Sequence, residues 1–240
     1  EMPTPTLADC KYFEALPSFI QDEKGLSRLR YFWRWDTPEK YQTNMRAYYR
    51  MITGIDNAIA RLLEALEAEG LADNTVIIYS ADNGFLKGDR GLAGKWNHYE
   101  QSLRIPLVIY DPRLPESKRG RVVPELVNNV DMAPTFVDLA GVEIPDAYQG
   151  LSLLPWIHGE PVSDWREDTF VEHMFNRYSD WHGVRGERYK YGRYYEDEYE
   201  FLYDLENDPS ELVNLANNPE YAAIRSEMAK RLEAYLVDFP

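Results

Sequence analysis

Asp82 and Asn83 close a β-branched run, Thr75-Val-Ile-Ile-Tyr-Ser-Ala-Asp-Asn-Gly84, and Lys95 follows in Gly94-Lys95-Trp96. A short apolar run bounded by turn residues reads as a buried parallel strand. Open α/β sheets hold their ligands just past the carboxyl ends of such strands. The two side chains offer hard oxygen atoms of the kind that bind Ca²⁺ or Mg²⁺, and Lys95 brings a cation to an anionic substrate. Together they point to metal-assisted hydrolysis of a sulfate or phosphate ester. Asp-Asn-Gly is also ordinary turn composition, so the flanking segments carry the weight of this reading. His98 lies three residues beyond Lys95; it is a proton donor to the leaving alcohol or a hydrogen-bonded loop histidine. His173 ends a strand further on and is a candidate substrate contact from that side. His158 and His182 read as surface or structural residues, and Glu100 and Arg104 as a local pair that holds the loop.

These residues need elements to position them. Residues 1–36 mix proline, glycine and aromatics without a sustained period and read as an irregular surface segment. Thr37-Pro38-Glu39 is a helix start: a cap, a proline at the first position and an acid in the first turn. The helix predicted over 38–69 carries Tyr48, Ile52, Ile55, Ile59, Leu62, Leu63 and Leu66 as one apolar stripe, and Gly70 stops it. Strands are predicted at 75–80 and 104–110, a short edge strand at 122–128, and a helix at 131–140 capped by Asp131. After residue 160 the texture changes to short aromatic strands at 168–174, 181–186, 188–195 and 200–204, then an amphipathic helix over 219–237. The fold class expected is α/β: part of a mixed, mostly parallel sheet flanked by helices (1–160), then a small α+β unit with an antiparallel sheet and a C-terminal helix (161–240).

Composition narrows the partners. A hydrophobic fraction of 44% supports a packed core. With 26 basic against 41 acidic residues, the net charge of −15 argues against nucleic acid or an anionic membrane surface as the main partner. Cys10 is the one cysteine, which excludes an intrachain disulfide and a cysteine-rich zinc site. No run reaches the length of a membrane span. The opening Glu1-Met-Pro-Thr-Pro-Thr reads as a loop interior, so the chain is expected to be one piece of a longer polypeptide.

Several segments in consistent order resemble the carboxyl-terminal half of type I sulfatases, within the alkaline phosphatase superfamily. They are Asn74 to Gly84, Gly88-Asp-Arg-Gly-Leu-Ala-Gly-Lys-Trp-Asn-His-Tyr-Glu100, Arg104-Ile-Pro-Leu-Val-Ile-Tyr110, Asn129-Val-Asp-Met-Ala-Pro-Thr135, Gln149 to Leu154, and Leu202-Tyr-Asp-Leu-Glu-Asn-Asp-Pro-Ser-Glu-Leu-Val-Asn-Leu215. The resemblance implies a sulfuric ester hydrolase with one divalent ion, usually Ca²⁺, otherwise Mg²⁺. Asp82 and Asn83 would be two of its ligands, and Lys95 would contact the sulfate. It also implies a periplasmic or secreted location and, from the aromatic-rich loops, a sulfated carbohydrate substrate. Two departures stand out. Arg90 falls where many relatives carry a histidine. The motif Cys/Ser-x-Pro-x-Arg, whose first residue becomes the formylglycine nucleophile, is absent. The nucleophile is therefore expected from a missing amino-terminal half, the partner of this portion, and the chain alone is expected to be inactive. A phosphonate monoester or phosphodiester hydrolase on the same scaffold, and a non-catalytic binding module, are the alternative readings.

Overall fold

The computed structural model of the chain describes residues 1–174 and 180–238. Helix α3 (Pro38–Ala68) forms where its start code predicts: Thr37 Oγ1 accepts a hydrogen bond from the Lys40 amide at 3.3 Å, and Gly70 adopts a left-handed φ of 68° just beyond its end. Its apolar stripe is less buried than the pattern implies. Tyr41 and Met45 enter a core with Trp35 and Ala93, whereas Met51, Ile52, Ile55, Leu62 and Leu63 are exposed. The segment read as irregular instead forms two helices, α1 (Cys10–Glu14), capped by Asp9, and α2 (Leu26–Arg34). Both are held by tertiary packing of aromatic residues, which outweighs their weak local signals.

Strands β1 (Ile77–Ser80) and β4 (Leu107–Tyr110) pair antiparallel, with Ile77 opposite Tyr110 and Ser80 opposite Leu107. The expected mostly parallel arrangement is not seen among the described residues, because the only neighbour each strand has is the other. Nor is this layer buried on both faces: Tyr79, Val108 and Tyr110 are exposed. Residues 122–128 form no strand; Pro124 removes a ladder donor there. Strands β2 (Leu86–Lys87) and β3 (Ala93–Gly94) make a short hairpin, and α4 (Glu100–Leu103) returns the chain to β4.

Helix α5 (Met132–Leu139) begins after a tight turn at Asn129–Asp131, and the brief α6 (Leu154–His158) follows it. Asp131 stands at the N-cap position of α5, as expected, and is also a buried hub. Its carboxylate accepts the amides of Asn128 at 2.7 Å and Leu151 at 2.8 Å, and both terminal nitrogens of Arg166 at 2.5 Å.

Strands β5 (Asp168–His173), β6 (Trp181–Gly186), β7 (Tyr189–Tyr194) and β8 (Tyr199–Asp204) form a four-stranded antiparallel sheet in chain order. Helix α7 (Ala222–Asp238) covers one face, where Met228 and Leu232 pack with Val184, Tyr191 and Leu202. The other face is covered from the first part of the chain: Trp181, Tyr194, Phe201 and Tyr203 share a core with Leu16, Ile20, Leu86, Leu92 and Tyr99. Each of these large side chains contributes roughly 1.5–3 kcal/mol by leaving water, so this second face ties the sheet firmly to the loop that bears Lys95.

Candidate active site

The Asp82-Asn83-Gly84 turn leaves the carboxyl end of β1 and is fixed by its backbone. A Cβ at Gly84 would lie 2.3 Å from the Gln101 carbonyl oxygen and 2.9 Å from that of Arg104, so only glycine permits this approach. The Gly84 amide donates to the Ser102 carbonyl at 2.9 Å, and Asn129 Nδ2 donates to the Asp82 carbonyl at 2.9 Å. Asn83 Nδ2 donates to the Gly84 carbonyl at 2.7 Å, which turns Oδ1 toward Lys95; the Lys95 ammonium donates to it. That ammonium also lies 3.7 Å from Asp82 Oδ2. The structure therefore brings Asp82, Asn83 and Lys95 together, with the Asp82 carboxylate 86% exposed.

Lys95 owes its place to a strained, well-tied loop. Gly94 takes φ 102°, and a Cβ there would lie 2.4 Å from the Trp96 ring. Trp96 itself sits at φ 88°, a conformation that costs a bulky residue on the order of 1–3 kcal/mol. The surroundings hold it there. Trp181 Nε1 donates to the Trp96 carbonyl at 2.8 Å, Arg28 Nη1 to the Gly91 carbonyl at 2.7 Å, and Asn97 Nδ2 to Ser27 Oγ at 3.2 Å. From α2, the Arg30 guanidinium lies 4.4 Å above the Trp96 ring.

Further along the loop, a buried ionic cluster anchors residues 98–100. Lys190 Nζ donates to the His98 carbonyl at 2.7 Å, lies 3.1 Å from Glu100 Oε1, and pairs with Glu211. Arg185 reaches Glu100 at 3.2 Å, and Glu211 Oε2 accepts the Glu100 amide at 2.8 Å. The two carboxylates respond differently. Burial opposes the charge on Glu100, but Lys190 and Arg185 prevail and hold its pKa below the ordinary value. Burial dominates at Glu211 and pushes its pKa up despite Lys190. Arg90 is structural too: it donates to the Ser210 carbonyl and, at 3.3 Å, to that of Glu211, and stacks 4.1 Å from the Tyr99 ring centroid. Glu100 thus pairs with Lys190 and Arg185 rather than with Arg104.

His98 does not join the site. It is fully buried, with Nδ1 2.9 Å from the Tyr194 hydroxyl, Nε2 3.2 Å from the Tyr203 hydroxyl, and its ring stacked on Phe201 at 4.0 Å. Burial, reinforced by the charges of Lys190 and Arg90, holds its pKa well below the ordinary range. A ring with both nitrogens engaged in the core has no route to a leaving group. His173 closes β5 opposite Trp181, one strand from the indole that holds the Trp96 carbonyl, and burial lowers its pKa. His158 lies 3.7 Å from Glu160 and His182 2.7 Å from the Tyr195 hydroxyl.

Of the expected metal ligands, the structure places Asp82 and Asn83 side by side at the end of β1. Asp82 and Asn83 present adjacent hard oxygens at a strand end, which suits Ca²⁺ or Mg²⁺, but Ca²⁺ takes roughly six to eight oxygen ligands. Among the described residues, no group of three or more His, Cys, Asp or Glu side chains is arranged to hold an ion. The pair fits as part of a ligand set. Sequence reasoning missed Lys190, Glu211 and Arg30. The signals were a lysine flanked by tyrosines in Tyr189-Lys190-Tyr191 and an acid inside the Asp-Pro-Ser-Glu run. A separate crevice of about 920 Å³ lies between β4 and residues 118–129 and does not include Asp82, Asn83 or Lys95.

A family model described as Sulfatase matches residues 21–142, and one described as N-sulphoglucosamine sulphohydrolase, C-terminal, matches residues 88–238. An N-acetylglucosamine-6-O-sulfatase of Bacteroides thetaiotaomicron is 38% identical over 81% of this chain and 36% of its own length. Among solved structures, a putative sulfatase from the same organism superposes with a TM-score of 0.86 at 27% identity, over 98% of this chain and 51% of that one. A phosphonate monoester hydrolase of Agrobacterium radiobacter superposes at 0.75 with 31% identity, over 84% of this chain and 43% of that one. The chain spans about half or less of the length of these relatives.

Proposed function

This chain belongs to the sulfatase family, the type I sulfatases of the alkaline phosphatase superfamily, and from that premise we propose that it is the carboxyl-terminal portion of a sulfuric ester hydrolase acting on a sulfated carbohydrate. The observation that carries the reading is the contact of Lys95 with Asn83, beside Asp82, at the carboxyl end of β1. Lys95 neutralises charge on the sulfate oxygens as the ester bond breaks, and the Asn83 amide holds its ammonium in place. Asp82 and Asn83 would hold Ca²⁺ or Mg²⁺ together with residues from the rest of the polypeptide; such an ion would polarise a sulfate oxygen, and a formylglycine from that same missing part would be the nucleophile. His173 contributes to the substrate side of the cleft.

The partner of this portion is the rest of the same polypeptide. A two-stranded ribbon is marginal by itself, yet β1 and β4 have no other neighbour among the described residues. The open crevice beside β4 and the exposed apolar residues of α3 are surfaces that further strands and helices would cover.

The likeness to a phosphonate monoester hydrolase at 31% identity supports a second reading on the same site. The test compares, for the complete polypeptide, kcat/KM on a sulfate ester and on a phosphonate monoester. We expect the sulfate ester to be preferred and Lys95→Ala to lower its kcat/KM by about 10²–10³. Preference for the phosphonate ester would select the second reading. Ligand binding without turnover of either would select a non-catalytic module.

A further inference from the structure

Arg30 carries a guanidinium whose one contact among the described residues is an aromatic ring. Its centre lies 4.4 Å above the Trp96 ring, and among the described residues it has neither an ion pair nor a hydrogen bond. The other arginines near this loop are committed: Arg28 to the Gly91 carbonyl, Arg90 to those of Ser210 and Glu211, and Arg185 to Glu100. A guanidinium held over an indole by its charge keeps five N–H donors that a carboxylate or sulfate can accept. Trp96 is the immediate neighbour of Lys95, with the two α-carbons about 3.8 Å apart.

The contact is also pre-organised. Trp96 is held by the Trp181 indole and packs on Gly94, while α2 is pinned to the same loop through Arg28 and Ser27. A cation over the residue next to Lys95, without an ion pair among the described residues and in a chain of net charge −15, draws negative charge to this loop.

We propose that Arg30 is a specificity-determining residue that binds a second anionic group, a sulfate or a carboxylate, carried by the sugar whose sulfate ester meets Lys95. The proposal rests on the sulfatase reading above, and its substrate class is a sulfated sugar with at least two anionic groups.

The experiment uses the complete polypeptide and three substrates: a monosulfated neutral hexose, the same hexose with a second sulfate, and a disaccharide joining the monosulfated hexose to a hexuronate. Wild type should prefer one or both dianions. Arg30→Gln should reduce that preference, as a ratio of kcat/KM values, about ten-fold, chiefly through KM. Arg30→Lys, which keeps the charge, should retain much of it. Whichever dianion responds identifies sulfate or carboxylate as the group. Loss of the same factor on all three substrates, or an unaltered preference in a variant with the wild-type melting temperature, would overturn the proposal while leaving the sulfatase reading intact. If wild type turns over none of the three, that reading fails, and titration calorimetry decides the role of Arg30. Tighter binding of a dianion that Arg30→Gln removes supports it, and equal binding overturns it.

Discussion

The imidazole of His98 lies flat on Phe201 with a tyrosine hydroxyl at each nitrogen, an environment that accepts only the neutral ring. Its folded pKa is depressed below the ordinary 6.5, so the unfolded chain takes up the proton first as pH falls. The stabilisation is therefore fully present above about pH 6.5 and is lost progressively as pH falls below it toward the depressed value. Burial also lowers the pKa of His173 and His182, so the informative quantity is a difference. We expect denaturant midpoints of wild type to fall more steeply between pH 6.5 and 5 than those of His98→Phe. Equal slopes would show that His98 protonation is not coupled to unfolding. The contrast with Asp82, Asn83 and Lys95 is physical. Their proximity was legible because a strand end, a turn and the loop after it are close in sequence, whereas the orientation of His98 is set by Tyr194 and Tyr203, 96 and 105 residues away. Lys190 and Glu211 escaped for the same reason, since each gains its meaning from Glu100.

Among the elements, α3 shows what a local code can and cannot specify. Thr37, Pro38 and Gly70 mark its ends, and the structure agrees to within a residue. Its stripe correctly reports an apolar face but not what covers it, because Ile55 and Leu62 are 47% and 54% exposed. Replacing both by glutamate should leave the melting temperature of this chain little changed, since exposed sites seldom move stability by more than ~0.5 kcal/mol. Sedimentation velocity should then show less self-association. In the complete polypeptide the same double substitution should destabilise. Equal tolerance in both would mean that this face stays in water. Strands β1 and β4 teach a related lesson: apolar runs identified them, but nothing within either run encodes the partner or the direction of pairing.

At the level of the whole molecule, the four strands after residue 160 are recognisable from their aromatic alternation, and the closing helix from its period. What sequence could not convey is that the sheet has two covered faces, one of them built from residues 13–20 and 86–103. Residues 161–238 expressed alone should therefore lack a cooperative thermal transition. Trp181, Tyr194 and Phe201 would be exposed, and Lys190 would lose both Glu100 and the His98 carbonyl. A sharp near-ultraviolet melt from that fragment would refute this. The ties between Arg90 and residues 210–211 span 120 and 121 positions of chain, and they carry one more implication. Contacts of such long separation form late, because a large loop must close before they return any energy. During synthesis the segment around Lys95 leaves the ribosome well before Lys190 and Glu211 do. Until residues 190–211 have been made, the ties of Lys190 and Glu211 to Glu100 and to the His98 carbonyl cannot form, so the loop that bears Lys95 takes its final shape well after the lysine itself is made.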